Sequence, residues 1–337
     1  MVQRVLLTGI GGSIGCHMMA RIFGSTDWEI VGIDSFRHKG LTDRIDYFID
    51  QYPEWKSRLQ IFTHDLTAPI SDILLSRIGH VDYIISMAAL SDVEDSIENP
   101  ELFIIGNVQI VTTMLQFARK VKPKAFVQIS TDEVYGPSGS DQQHVEWATI
   151  LPSNPYAASK AAQEAIAIAY WRSYSVPLII TNTMNNFGEM QQPKKFPAMV
   201  QSKVSNGEQV IIHGNMESIG SRYYIHSNIF ADAVLYILQN TTPYLHKDGE
   251  IDKPDRYNIV GSKRLNNLEL AAMIANCLGK DLTYKLVDFH AARPGHDRHY
   301  GLDGTKLDKL GWKPQTDFRT TLENTLDWTQ NHPEWLA

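Results

Sequence analysis

Short, nearly continuous apolar runs alternate with longer stretches of helical period through the first 260 residues. Runs rich in β-branched residues at 4–8, 29–34, 60–63, 82–87, 125–130, 178–182 and 257–260 predict strands. Between them, the periodicity predicts helices near 14–23, 70–78, 101–120, 154–174 and 227–239. Strands that are apolar throughout are expected where both faces of a sheet are covered, and their alternation with helices predicts a doubly wound α/β fold on a parallel sheet of about seven strands. Beyond about residue 180, Pro193, Pro197, Gly207, Gly214, Gly220 and Pro254 loosen the rhythm, and two more helices are predicted at 267–278 and 318–331. The expected division is a first domain over 1–180 and a smaller mixed α/β lobe over 181–337, with 226–262 returning to the sheet.

Composition narrows the class. Of 337 residues 43% are hydrophobic and 20% charged, enough for a sizeable core, which excludes disorder and fibrous repeats. Lys plus Arg number 31 and Asp plus Glu 38, so the net charge of −7 gives no bulk attraction for nucleic acid or anionic lipid. An anionic ligand must therefore meet a local cluster of cations. Cys16 and Cys277 make neither a disulfide scaffold nor a zinc site. The start imitates a signal peptide, with Arg4 ahead of Val5-Leu6-Leu7 and Gly15-Cys16 resembling a cleavage site, but Gly9, Gly11, Gly12 and Gly15 break the apolar run. With no run of about 18 apolar residues, the expectation is a soluble, cytoplasmic protein.

Those glycines have a better use. They follow the first predicted strand as Gly9-Ile10-Gly11-Gly12-Ser13-Ile14-Gly15. A side chain at 9 or 12 would hold a pyrophosphate off the backbone, and Gly15 lets the helix lie close on the sheet. The pyrophosphate can then sit on the free N–H groups at the helix start, around Ser13 and Ile14. Asp34, closing the second strand 19 residues after Gly15, is placed to accept the adenosine ribose hydroxyls and repel a 2′-phosphate, so NAD is favoured. Arg37 nearby keeps NADP as the lesser alternative. Asp65 and Leu66, after the third strand, are placed to flank the adenine, a plain turn being the competing reading.

Tyr156-Ala157-Ala158-Ser159-Lys160 puts a phenol and an ammonium on one helix face. A cation there is expected to lower the tyrosine pKa and make it a base at neutral pH. Tyr52 and Lys56 share the spacing and are read as a surface segment without a role. Context separates the two, because Tyr156 lies one β-α step after a strand ending in Ser130-Thr131-Asp132-Glu133, and the loop beyond a strand's carboxyl end is where such folds put their chemistry.

The glycine triplet, Ser130-Thr131 and Tyr156 to Lys160 together resemble the extended short-chain dehydrogenase/reductase family. Within it, Ser130-Thr131-Asp132-Glu133-Val134-Tyr135-Gly136 resembles the nucleotide-sugar 4,6-dehydratases, above all those of the dTDP-glucose type. The likeness continues in Met184-Asn185-Asn186-Phe187-Gly188, in Pro193 with Lys195, in Arg222 and in Tyr257-Asn258-Ile259. It also covers Arg293-Pro294-Gly295-His296-Asp297-Arg298 and Gly311-Trp312-Lys313-Pro314, and so spans essentially the whole chain.

The resemblance implies an NAD-dependent lyase with a Rossmann domain. Oxidising C4 of the hexose makes the C5 proton acidic, water leaves across C5 and C6, and the hydride returns to C6, giving a 4-keto-6-deoxy sugar. By resemblance Tyr156, supported by Lys160 and Thr131, takes the C4 hydroxyl proton, Glu133 takes the C5 proton, and Asp132 protonates the departing C6 oxygen. Adjacent carboxyls can play opposite parts only if their surroundings push their pKa values apart. The resemblance nominates Ala88, Ala89, Ser91, Asn107 and Asn186 for the cofactor beside Tyr156 and Lys160. For the substrate it nominates Ser91, Thr131, Asn185, Lys195, Arg222, Asn258, Arg293 and His296, since guanidinium forks suit a diphosphate. Taken singly, each of these cations reads as ordinary surface charge. His296 and His299 flank an arginine, poor spacing for a metal, and none is expected.

Departures from the family pattern concern the pocket. The family commonly reads Ala-Ala-Glu-Ser-His-Val-Asp-Arg-Ser where this chain has Ala88-Ala89-Leu90-Ser91-Asp92-Val93-Glu94-Asp95-Ser96, and Gly106 stands where Thr or Ala is usual. The readings kept open are a UDP-sugar 4-epimerase, a UDP-glucuronate decarboxylase, a dehydratase for a UDP-, GDP- or CDP-linked sugar, and a non-catalytic NAD-binding regulator. Asp132-Glu133 speaks against the first two, and the intact catalytic set against the last. A homodimer built on the helices near 101–120 and 154–174 is implied. Ala157, Ala158, Ala161, Ala162, Ala165, Ala167 and Ala169 lend small faces, with burial inside the monomer as the equal alternative.

Overall fold

The computed structural model describes residues 2–37, 41–139, 142–215, 218–288 and 297–336. In chain order the strands are β1 Arg4–Thr8, β2 Glu29–Asp34, β3 Leu59–Thr63, β4 Tyr83–Ser86, β5 Ala125–Thr131 and β6 Leu178–Thr183, then β7 Asn185–Phe187, β8 Val210–Asn215, β9 Ser218–Ile219, β10 Ser221–His226, β11 Asp255–Ile259, β12 Arg264–Asn266 and β13 Tyr284–Val287. The helices are α1 Ser13–Ser25, α2 Leu41–Gln51, α3 Asp72–Ile78, α4 Val93–Glu98, α5 Pro100–Val121, α6 Pro155–Tyr174, α7 Phe196–Ser205, α8 Ser227–Asn240 and α9 Asn267–Cys277, followed by Thr305–Leu310 and Phe318–Asn331.

The seven apolar runs all join one sheet, ordered β11-β6-β5-β4-β1-β2-β3, and every pairing in it is parallel. Alternate residues face opposite sides. Val5, Leu7, Val127 and Ile179 pack against α1 and α8, whereas Leu6, Ile84, Phe126 and Ile180 pack against α5 and α6. Both faces are covered, which is why β5 and β6 are buried from end to end. This is the Rossmann arrangement. The chain leaves β3 and re-enters at β4 on the other side of β1, and it is beside that reversal of strand order, at the carboxyl ends, that open α/β sheets bind ligands.

Beyond residue 183 two three-stranded sheets form, β12-β10-β7 and β13-β8-β9. With α7, α9 and the helix Phe318–Asn331 they enclose a separate apolar cluster around Val204, Ile212, Leu270, Ile274 and Leu322. Four helices go beyond the sequence expectation: α2, α4, α7 and the short helix Thr305–Leu310. α2 carries Asp43, Asp46 and Asp50, leaving only a thin apolar stripe, of which Ile45 reaches the core. α4 is a short helix capped by Asp92, whose carboxylate accepts the Asp95 N–H at 3.1 Å. α7 begins at Phe196-Pro197, where the proline reads as a break but stands in the first turn, a place that needs no N–H. Among the described residues α5 alone has the length and apolar composition of a membrane span, and half of it is buried in the fold.

Candidate active site

Gly9 turns the chain off β1 with φ +72°, and a Cβ there would lie 3.2 Å from the Ala88 Cα. At Gly15 a Cβ would stand 2.0 Å from the Gly9 carbonyl oxygen, so only glycine lets α1 rise this close to the loop. Thr8 Oγ1 accepts the N–H groups of Met87 and Ala88 at 2.9 and 3.0 Å, tying the loops after β1 and β4 together. α1 starts behind Gly12 with no side-chain cap, leaving the first N–H groups, around Ser13 and Ile14, for an anion. Asp34 is buried at the end of β2 and accepts Gly11 N–H at 3.0 Å and Phe36 N–H at 3.1 Å. This bare cradle with a carboxylate beside it fits a dinucleotide.

Asp65 pairs with Arg37, so the cation that favoured NADP is already engaged, and Leu66 is buried in the sheet-face cluster. Asn107 is buried with its amide committed. Its Oδ1 accepts Leu90 N–H at 2.8 Å, and its Nδ2 donates to Leu90 O at 3.0 Å and Ser159 Oγ at 2.8 Å. It therefore shapes the Ala88–Ser91 loop from behind. Ala88 and Ala89 are half-buried on that loop and Ser91 is exposed. Asn186 Nδ2 donates to Thr183 Oγ1 and Met184 O, holding the turn between β6 and β7. Sequence reading missed Arg44, which is buried and donates to Gly11 O at 3.1 Å and Met190 O at 2.9 Å, joining the glycine loop to the region beyond β7. No motif marks it, because it stands in the unforeseen helix α2.

β5 ends in Thr131 and the chain turns through a short 3-10 segment, Asp132–Tyr135, so two carboxyls follow the strand directly. Thr131 Oγ1 donates to Asp132 Oδ1 at 2.9 Å and accepts Glu133 N–H at 3.3 Å. Asp132 Oδ2 is buried without a hydrogen-bond partner among the described residues. Burial, and after it the charge of Glu133, push the Asp132 carboxyl up to about 7. Glu133 has different company, its Oε2 accepting from Asn154 Nδ2 at 3.1 Å and from the Tyr300 hydroxyl at 3.3 Å. Burial raises it too, while those bonds and Arg222 hold it down. Tyr300 gave no sequence signal, for it arrives from far along the chain.

Tyr156 stands in the first turn of α6, which Asn154 caps by accepting Ala157 N–H at 2.8 Å. Its phenol shares a hydrogen bond with Thr131. One expectation fails here, since Lys160 does not lower the phenol's pKa. The ammonium turns inward and donates to Ile129 O and Gln163 Oε1, each at 2.7 Å. Tyr156 is instead pushed above its ordinary value by burial and by the charges of Glu133 and Asp132. Burial pulls Lys160 down to about 8.

The nominated substrate residues divide. Arg222 donates to Arg298 O at 2.6 Å, lies 4.4 Å from the centre of the Tyr300 ring, and its charge acts on both Asp132 and Glu133. Asn185 hydrogen-bonds with the Tyr224 phenol. Lys195 lies 3.3 Å from Asp92. Asn258, by contrast, is wholly buried, donating to His144 O at 2.9 Å and Asp303 O at 3.1 Å, and so holds the fold together. Arg293 and His296 fall outside the described residues.

The family model described as GDP-mannose 4,6 dehydratase matches residues 6–325. The chain belongs to this family of extended short-chain dehydrogenase/reductases. Its relatives in the family include the low-salt glycan biosynthesis protein Agl12 of Haloferax volcanii, 31% identical over 96% of this chain and 97% of that one. The dTDP-glucose 4,6-dehydratase of Shigella flexneri is 30% identical over 99% of this chain and 94% of its own. Among solved structures, DesIV of Streptomyces venezuelae, a dTDP-glucose 4,6-dehydratase with NAD bound, superposes with a TM-score of 0.86 at 30% identity, covering 99% of this chain and 98% of that one.

Two departures from the family pattern are neighbours. A Cβ on Gly106 would sit 3.4 Å from Leu90 Cδ1, an ordinary van der Waals contact, so the leucine at 90 packs over the position of residue 106. The acids at 92 and 95 are matched across the cleft. Lys194 lies 3.0 Å from Asp92 and 2.8 Å from Asp95.

Proposed function

We propose that the protein is an NAD-dependent nucleotide-sugar 4,6-dehydratase and that its substrate is dTDP-glucose, converted to the 4-keto-6-deoxy product in the cytoplasm by a homodimer. The pair Asp132 and Glu133 carries this reading: neighbouring carboxyls in unlike surroundings, one bare and proton-bearing near neutrality, the other held by two donors. An epimerase or a sensor has no use for such a pair.

The first 180 residues hold the cofactor, through the glycine cradle, Asp34 and the Ala88–Ser91 loop. When bound, NAD supplies the hydride acceptor for C4, gives the hydride back at C6, and in its oxidised form carries a positive charge that favours a nearby phenolate. Tyr156 accepts the C4 hydroxyl proton. Glu133 removes the C5 proton, made acidic by the C4 ketone, and later returns it to C5. Asp132 gives its proton to the C6 oxygen, which leaves as water. Each turnover leaves Tyr156 one proton richer and Asp132 one poorer, and Thr131, bonded to both, is the path that restores them. Lys195, Arg222 and Asn185 face the nucleoside diphosphate, with Arg293 and His296 as the remaining partners.

The test is incubation with dTDP-, UDP-, GDP- and CDP-hexoses and mass detection of a product lighter by one water, expected first for dTDP-glucose. Epimerisation or decarboxylation without water loss would overturn the reading. In Glu133→Gln, cofactor reduction should persist while water loss drops at least about 100-fold.

A further inference from the structure

Beneath the catalytic residues lies an ion pair that the reaction leaves unused. Glu164 and Arg256 are both wholly buried, with Arg256 Nη2 donating to Glu164 Oε2 at 2.6 Å. Arg256 Nη1 donates to the Tyr135 hydroxyl at 3.2 Å, while its Nε has no partner among the described residues. The other carboxylate oxygen, Glu164 Oε1, accepts from Asn182 Nδ2 at 2.8 Å, and that same nitrogen donates to the carbonyl of Thr131 at 3.0 Å. Glu164 also stands one helical turn after Lys160, on the same side of α6.

A buried ion pair is a weak stabiliser, because desolvation of both charges offsets their attraction, so its presence asks for another reason. Lys160 provides one. It is 4% exposed, and the acceptors of its ammonium, Ile129 O and Gln163 Oε1, are neutral. α5 brings Asn107 to this layer, β5 brings Gln128, and β6 brings Asn182, none of them charged. Tyr156 lies one turn earlier on α6, and it is on this phenol that Asp132 and Glu133 act. Glu164 is the charge that favours the ammonium against its burial.

We infer that Glu164, held in place by Arg256, is a positioning residue for catalysis: it keeps Lys160 charged inside the protein and, through Asn182, fixes the strand end that carries Thr131. The inference rests on the catalytic reading of Lys160 and Thr131 given above. If it is correct, removing the carboxylate charge lets Lys160 lose its proton at lower pH, whatever happens to stability.

The experiment follows the Lys160 Cε resonance in the full chain labelled with 13C-lysine, assigned by its absence in Lys160→Arg, across a pH titration. The wild-type midpoint is expected at about 8. In Glu164→Gln the proton affinity of Lys160 should fall at least about tenfold, and in Glu164→Asp it should stay closer to wild type. Where Glu164→Gln does not fold, Glu164→Gln combined with Arg256→Met removes both buried charges and should show a fall in the same direction, smaller because a cation that opposes the ammonium is gone as well. An unmoved midpoint in either folded variant overturns the inference and leaves the pair a structural staple. Full-rate turnover of dTDP-glucose by Lys160→Met would instead sink the catalytic reading, while the titration would still report on Glu164.

Discussion

Burial lifts the Asp132 carboxyl from an ordinary 3.8 to about 7, with Glu133 adding to the effect, and this has consequences for stability as well as rate. A carboxyl whose folded pKa is raised makes the native state hold its proton more tightly than the unfolded chain does. Its contribution is therefore intact below about 3.8 and is lost as pH climbs through about 7. Asp132→Asn, neutral at every pH, is expected to be more stable than wild type above about pH 7, by up to about 4 kcal/mol, with the difference closing in acid. Denaturant unfolding of the ligand-free protein at several pH values measures this, and a variant that loses stability in alkali would contradict it. Wild-type water loss should itself decline above about pH 7 as the acid ionises, whereas Asp132→Asn should be slow at every pH and lack this limb, because an amide neither gives the proton nor ionises. The types of these two residues were legible from their place behind a strand, but not their surroundings, since Asn154 and Tyr300 come from 21 and 167 residues away. Asn107 and Asn258 show the converse: polar residues that resemble ligands by motif and are spent on holding loops.

At the scale of elements, the strands that were readable are the ones buried on both faces, where a continuous apolar run has no helical rival of its length. What escaped were segments without a long apolar run, the helices α2, α4, α7 and Thr305–Leu310 and three-residue strands such as β7 and β12, because a segment with one thin apolar stripe takes its structure from what it packs against. The Tyr52 to Lys56 segment sits between these cases, with both named residues exposed and Trp55 buried between them against Phe23. The alanines of α6 divide as well. Ala157 and Ala167 are used inside the monomer, whereas Ala165 and Ala169 are exposed. α5 leaves Leu102 at 60% and Ile105 at 48% exposure, an apolar edge unusual for a helix otherwise packed in the core. The proposed dimer covers this edge. Leu102→Asp combined with Ile105→Asp should therefore sediment as a monomer while keeping its helical content. A wild-type protein that is already monomeric at micromolar concentration would dismiss the dimer.

For the molecule as a whole, the net charge of −7 means that two bound diphosphates must be met by local positive potential, and its sources are now distinct. The cofactor side relies on backbone N–H groups at the start of α1, with no lysine or arginine in that helix's first turn. On the proposed reading the substrate side relies on Lys195 and Arg222, with Lys194 beside them, yet both lysines are bonded to acids, Lys194 to Asp92 and Asp95 and Lys195 to Asp92. Burial works to raise Asp92, but Lys195, the Asp95 N–H and Lys194 hold it at about 2, so it stays ionised at any working pH. An anionic substrate entering the cleft must draw Lys195 from a carboxylate that is always charged. Asp92→Asn keeps the helix cap and removes that competition. It is expected to tighten binding of dTDP by about 3- to 10-fold at low ionic strength, and the gain should shrink as salt is added, because Lys194 and Lys195 are half-exposed and screened. Calorimetric titration at two salt concentrations reads both effects. Weaker binding in Asp92→Asn would show that the acid aims the lysines at the diphosphate and does not compete with it, and the family's basic residue at this position would then have been exchanged for a positioning one.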